Sequence, residues 1–131
     1  MPSGATGANV GAVKLQQARV LLQRNRLDDA LAALQELDRQ ASAGKWPMPL
    51  QARVMNQLGT LYNIRADAPA AIAASDRAIA LARTAHDDES LMLGLKNRGH
   101  ALIRQRKGTE AMVPIAEAER IARAHFGEDV E

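Results

Sequence analysis

Apolar residues recur every three or four positions in six segments of the chain, and short breaks separate these segments. In the second segment, for example, Ala30, Leu34 and Leu37 follow helical spacing. The breaks are rich in turn-forming residues, with Gly and two prolines in 43–49. They lie at Asn25-Arg26, 43–49, Ala66-Asp67, His86-Asp87-Asp88 and Lys107-Gly108-Thr109. The pattern predicts six helices, the first from about Ala8 to Arg24, joined by short links that make consecutive helices antiparallel. Pro114 falls inside the sixth segment, which predicts either a kink or a late start of that helix.

The chain repeats itself with a period of about forty residues. An alanine near the start of each even-numbered segment recurs at intervals of 41 and 40 residues. A small residue precedes this alanine by twelve positions, a large one by nine, and an apolar one follows it by seven. In order, these four sets are Ala30, Ala71, Ala111; Ala18, Gly59, Gly99; Leu21, Tyr62, Leu102; and Leu37, Ala78, Ala118. Because all four sets recur at the same intervals, the sequence predicts three copies of one helix pair.

This repeat resembles the tetratricopeptide repeat (TPR), in which small residues let the two helices of a hairpin touch. The spacing exceeds the usual length of about 34 residues and is similar to the longer repeats of kinesin light chains and related bacterial scaffolds. Segment 55–62 resembles the first helix of such a repeat and segment 124–129 the end of a second helix, and the second and third repeats carry the resemblance best. It implies an all-α fold, a right-handed stack of three antiparallel helical hairpins. We therefore expect a disordered lead at 1–8 and a single domain at 9–131, with repeats at approximately 11–46, 50–88 and 89–127.

Three residues depart from the repeat pattern. Lys14 and Gln17 interrupt the apolar stripe of the first helix, which predicts that this helix is exposed or shifted. Arg98 stands in the third repeat where an aliphatic residue is expected.

Composition narrows the classes of function. The chain has 131 residues with one Trp, one Tyr, one Phe and no Cys, and its formal net charge is +2. Without cysteine there is no disulfide and no cysteine-based metal or redox site. The first residues do not have the pattern of a secretory signal, and no apolar run is long enough to span a bilayer. We expect a cytoplasmic protein.

The resemblance also implies a binding surface, because in TPR proteins the first helices of the hairpins line a concave groove for a peptide or a partner's helix. Asparagine side chains there would bind a peptide backbone, and Arg and Lys would favour acidic side chains or a C-terminal carboxylate. The implied peptide-binding residues are Arg19, Arg53, Asn56, Thr60, Asn63, Lys96, Asn97, His100 and Arg104. The predicted function is a protein- or peptide-binding scaffold or adaptor. The same polar stripe is also typical of a solvated helix face.

Two other functions remain open. The chain could be an oligomerisation module that associates through its last helix, where Phe126 and the aliphatic face need a cover. An RNA-binding helical repeat is less favoured. Three aromatic residues are too few for base stacking, and a net charge of +2 is too small for a broad basic surface.

Enzymatic chemistry is not expected. His86, Asp87, Asp88 and Glu89 hold metal-capable groups, but they have no ligand spacing and suit the cap of the fifth helix. Ser75 occupies a core position. Trp46 could be an exposed contact, but it is expected to fill the gap between hairpins. We predict no catalytic residue, no metal and no cofactor.

Overall fold

Six α-helices make up the part of the chain that the computed structural model describes, residues 4–126, with side chains described for 7–125. They are α1 (Gly4–Gln23), α2 (Leu27–Gly44), α3 (Met48–Ile64), α4 (Ala68–Ala85), α5 (Asp88–Arg104) and α6 (Gly108–Phe126). Within these residues there is no strand, so the all-α prediction is confirmed. Residues 1–3 and 127–131, and the side chain of Phe126, lie outside the described part.

Every connection between helices uses the same turn. One residue in each adopts a left-handed conformation, at Asn25, Lys45, Ala66, His86 and Arg106. The following residue donates its N–H to a carbonyl five positions back, as in Arg26 to Leu21 and Lys107 to Leu102, both at 2.9 Å. This is the Schellman arrangement, which satisfies the last carbonyls of a helix and reverses the chain within two or three residues.

The forty-residue period is present in the helix boundaries. The odd-numbered helices end at residues 23, 64 and 104, and the even-numbered helices begin at 27, 68 and 108. Each helix contacts its neighbours in the chain, and α3 also contacts α1 and α5. The alanines of the repeat, Ala30, Ala71 and Ala111, are almost completely buried. Small residues at these positions let the paired helices approach closely.

The structure corrects the predicted start of the first helix and decides between the two possibilities for Pro114 in the sixth. Helix α1 begins at Gly4, so residues 4–8 are helical and do not belong to a disordered lead; Ala8 is buried in the core. Helix α6 begins at Gly108 and runs through Pro114, so the proline does not delay its start. The exposed side chains of Lys14 and Gln17 confirm that the polar part of the α1 stripe faces solvent.

Charged side chains bridge helices on the outer surface. Arg83 of α4 donates from both terminal nitrogens to the carboxylate of Glu117 in α6, at 2.7 and 2.9 Å. These hydrogen bonds lower the pKa of Glu117 below its usual value. Arg98 pairs with Asp76 of α4 at 2.7 Å, so the charge that departs from the repeat pattern is neutralised between α4 and α5. None of the helices, in the residues described, has an apolar segment long enough to cross a bilayer.

Trp46 lies in the connection between α2 and α3, and its side chain packs against α1. Its side chain is buried, with a relative exposure of 7%, and its ring lies over Gly11. A Cβ atom at residue 11 would come within 2.3 Å of the Trp46 Cη2 atom and 2.5 Å of Cζ3. The prediction that Trp46 plugs a gap is confirmed, and Gly11 is the residue that makes room for it.

Replacing Gly11 by Ala is therefore expected to destabilise the protein. Overpacking of this kind costs about 1–3 kcal/mol of unfolding free energy, measured by urea denaturation followed by circular dichroism. Gly108→Ala is the matched control, since nothing lies within 4 Å of a Cβ at that residue. Its stability should stay the same or rise by up to about 1 kcal/mol. Equal effects of the two substitutions would contradict this packing.

Candidate functional site

The three asparagines of the predicted binding stripe are buried between α3 and α5, and of the three only Asn56 also borders a hollow. The side-chain amide of Asn56 donates to the carbonyl of Ser90, and that of Asn63 to the carbonyl of Asn97, each at 3.0 Å. The amide of Asn97 donates back to the carbonyl of Asn56 and to the hydroxyl of Thr60, both at 3.2 Å. These asparagines were expected to bind the backbone of a peptide ligand. In the structure their side-chain amides bind the backbone of the neighbouring helix instead.

These contacts align α3 and α5 in parallel. The donors Asn56 and Asn63 lie two helical turns apart, and so do the acceptors at Ser90 and Asn97. Gly94 lies between the two acceptors, and the Oδ1 atom of Asn56 is 3.3 Å from where its Cβ would be. A larger residue there would push the helices apart. The Oδ1 atoms of Asn56 and Asn63 have no hydrogen-bond partner among the described residues.

We call this buried contact of Asn56, Asn63 and Asn97 between α3 and α5 the seam. A hollow of about 280 Å³ opens beside it, between α1, α3 and α5. Four of the predicted binding residues line it, namely Arg19, Arg53, Asn56 and Lys96. We call it the cationic hollow. Its remaining wall consists of Leu15, Gln57, Glu89, Ser90, Met92 and Leu93.

Three cations on three different helices surround the hollow. Arg19 belongs to α1, Arg53 to α3 and Lys96 to α5, and all three side chains are exposed. Among the described side chains, none of the three forms an ion pair. Arg19 has a long hydrogen bond of 3.4 Å to Gln16 on its own helix. The charges thus remain available to an anion in the hollow.

Glu89 lines the cationic hollow, and the sequence reasoning did not place it among the candidate site residues. It was assigned to the capping turn before α5, but it also lines the hollow and contributes an acid to a wall that was expected to be wholly cationic. The signal was its spacing, because Glu89 and Lys96 are seven residues apart and so share a helix face.

The other predicted residues are placed elsewhere. Thr60 is half-buried and accepts the bond from Asn97. His100 is exposed and lines, together with Lys96, a separate hollow between α5 and α6. Arg104 is exposed near the end of α5 and lines neither hollow. The structure therefore divides the predicted stripe, apart from Arg104, between the buried contact of α3 with α5 and two hollows.

The turn before α5 has a structural role. Asp87 caps the helix by accepting from the Ser90 N–H at 3.2 Å and from its hydroxyl at 2.8 Å, as expected of acids at this position. Ser75 is fully buried and donates to the carbonyl of Ala71 at 2.6 Å, which confirms its place in the core. In the part of the chain that is described, no group of three or more His, Cys, Asp or Glu side chains could hold a metal ion.

Substituting a seam asparagine tests this placement. Asn56→Ala removes a buried hydrogen bond and leaves a cavity, so we expect a loss of about 1–3 kcal/mol of unfolding free energy. His100→Ala, a change on the same predicted stripe but at an exposed position, should stay within about 0.5 kcal/mol of wild type. Chemical denaturation measures both. A neutral Asn56→Ala variant would contradict the buried seam.

Comparison with known proteins identified no relative of this chain. No protein-family model, no curated protein and no solved structure matches the chain. Its function must therefore be inferred from the arrangement of its own residues.

Proposed function

We propose that this protein is a TPR-like scaffold that binds the carboxylate groups of an extended peptide in the cationic hollow. One observation carries the proposal: Arg19, Arg53 and Lys96 come from three alternate helices to one hollow and have no ion-pair partner among the described side chains. Like charges gathered around a concave surface repel one another, and an anionic ligand would relieve that repulsion.

The repeat supports a scaffold. Helix boundaries recur every 40 or 41 residues, and small buried residues recur with them. In a right-handed stack of three hairpins, α1, α3 and α5 would form the inner row of helices, and their shared surface would be the groove. This arrangement is the one that the resemblance to TPR proteins implies.

The chemistry of the wall favours a peptide with acidic groups. Arginine holds a carboxylate with two parallel hydrogen bonds, whereas lysine supplies a compact point charge. The side chains of Leu15, Met92 and Leu93 offer apolar contact beside these cations. Gln57 supplies the amide that could donate to and accept from a peptide backbone, a role that the buried asparagines cannot take.

Glu89 would set the direction of the peptide. Among the described residues it is the only acid on the wall of the hollow, so an acidic ligand group would bind away from it, towards Lys96, which lies two helical turns further along α5. A basic or N-terminal group of the ligand would suit its side. The described lining of the hollow contains no aromatic side chain, which disfavours stacked nucleic-acid bases. The proposal assigns no catalytic residue and no cofactor.

Binding of acidic peptides tests the proposal. An array of short peptides rich in Asp and Glu, each with a free or an amidated C terminus, would be compared with Asn and Gln counterparts by fluorescence anisotropy. We expect the acidic forms to bind and the neutral ones to bind more weakly. Arg53→Ala and Lys96→Ala should each weaken binding about tenfold, because a hydrogen bond to a charged group contributes about 1.5–3 kcal/mol.

Arg24→Ala and Lys107→Ala are the controls. Both residues are exposed cations in connections between helices, so they change the net charge equally without touching the hollow. Their affinities should match wild type. The proposal is wrong if no acidic peptide binds, or if the control variants lose as much affinity as the hollow variants.

A further inference from the structure

The positive charge around the cationic hollow exceeds what one carboxylate neutralises. Arg19, Arg53 and Lys96 contribute three positive charges and Glu89 one negative charge, so the described lining has a net charge of +2. Among the described side chains, none of these four belongs to an ion pair. A single carboxylate would leave the hollow positively charged, whereas an anion with two negative charges would balance it.

The other acids of the turn before α5 already have partners. Asp87 accepts from the N–H and the hydroxyl of Ser90, and Asp88 pairs with His125 of α6. Neither of these acids lines the cationic hollow. The charges of Arg19, Arg53 and Lys96 are therefore opposed within the described lining only by Glu89.

The three cations approach the hollow from three directions, because each belongs to a different helix. The seam places two of them on facing helices. Arg53 lies almost one turn before Asn56 on α3. Lys96 adjoins Asn97 on α5, and the Asn97 amide donates to the carbonyl of Asn56 at 3.2 Å. Arg19 of α1 completes the ring of donors.

A phosphoryl group matches this arrangement better than a carboxylate does. A carboxylate is planar and has two oxygens, and one arginine can hold both of them with two parallel hydrogen bonds. A phosphorylated side chain presents three acceptor oxygens and carries a charge of about −1.5 to −2 at pH 7. Three donors from three helices with a net charge of +2 correspond to it in number, direction and charge.

We infer, building on the peptide binding proposed above, that the group which this hollow selects is a phosphorylated side chain of the partner. Phosphorylation of the partner then controls its binding to this protein. Met92 and Leu93 line the same hollow and are half-buried, so they contact the peptide residues beside the phosphate. This apolar contact distinguishes a phosphopeptide from free phosphate.

Three peptides that differ at one position test the inference. Each has blocked termini and carries phosphoserine, glutamate or serine beside a leucine, and fluorescence anisotropy measures the dissociation constants. We expect the phosphoserine peptide to bind about tenfold more tightly than the glutamate peptide, because it gains a further charge-assisted hydrogen bond. The serine peptide should bind most weakly. Inorganic phosphate at the concentration of the phosphoserine peptide should not displace it.

The pH dependence of binding gives a readout that is specific to phosphate. Phosphoserine loses its second proton with a pKa of about 6, whereas glutamate has a pKa of about 4.3. Lowering the pH from about 7.5 to about 5.5 should therefore weaken binding of the phosphoserine peptide several-fold and leave the glutamate peptide almost unchanged. The described lining of the cationic hollow has no histidine. His100 shares the hollow between α5 and α6 with Lys96, so His100→Ala should keep the same pH profile.

Removing one of the three donors tests the geometry. Arg19→Gln should reduce the preference for phosphoserine over glutamate from about tenfold to about twofold, and its binding of the glutamate peptide demonstrates that the variant is folded. Arg24→Gln is the matched control, because Arg24 is an exposed cation just beyond α1 that does not line the hollow. This variant should keep the full preference.

The outcomes separate this inference from the proposed function. If the glutamate peptide binds but the phosphoserine peptide binds no more tightly, the inference is overturned and the binding of carboxylates stands. The same holds if the phosphoserine peptide shows no pH dependence, or if an equal concentration of inorganic phosphate displaces it. If neither peptide binds, both proposals fail.

Discussion

The hydrogen bonds from asparagine side chains to main-chain carbonyls across α3 and α5 are the interaction on which the arrangement of this protein depends. Each buried amide would be costly without a partner, and each finds one only when the two helices are close and in register. Asn56 reaches Ser90 and Asn63 reaches Asn97, both at 3.0 Å. A slip of one turn would break both bonds together, so the pair specifies the alignment of the two helices more strongly than apolar contact alone.

The surface beside the seam follows from this alignment. Because α3 and α5 are fixed in parallel, Arg53 and Lys96 border the same hollow, and α1 adds Arg19. Helix α1 uses Leu15 at the position that corresponds to Asn56, so its contact with α3 is apolar, and Trp46 holds it in place over Gly11. The buried amides thus act as positioning groups, and the cations around the hollow are the groups available to a ligand.

The sequence predicted the helices well because periodicity and turn residues are local signals. Six helices, the buried alanines of the repeat and the role of Trp46 all follow from spacing and composition. The asparagines were misplaced for a physical reason: a helix face that binds a ligand and one that binds a parallel helix show the same spacing of polar residues. What separates the two is the distance between helices, which depends on Gly94, thirty-eight residues from Asn56. Glu89 was missed because its position in the helix cap already explained it.

The measurement that tests the central claim most directly is a titration of the isotope-labelled protein with an Asp- and Glu-rich peptide, followed by two-dimensional NMR. If the cationic hollow binds carboxylates, shifts will concentrate in the amides of residues 15–19, 53–57 and 89–96 and in the side chains of Arg19 and Arg53. The buried amide signals of Asn56, Asn63 and Asn97 should persist throughout, because the seam does not open. Shifts centred on the α5–α6 hollow or on the outer faces of α2 and α4, or a spectrum that does not change, would contradict the account.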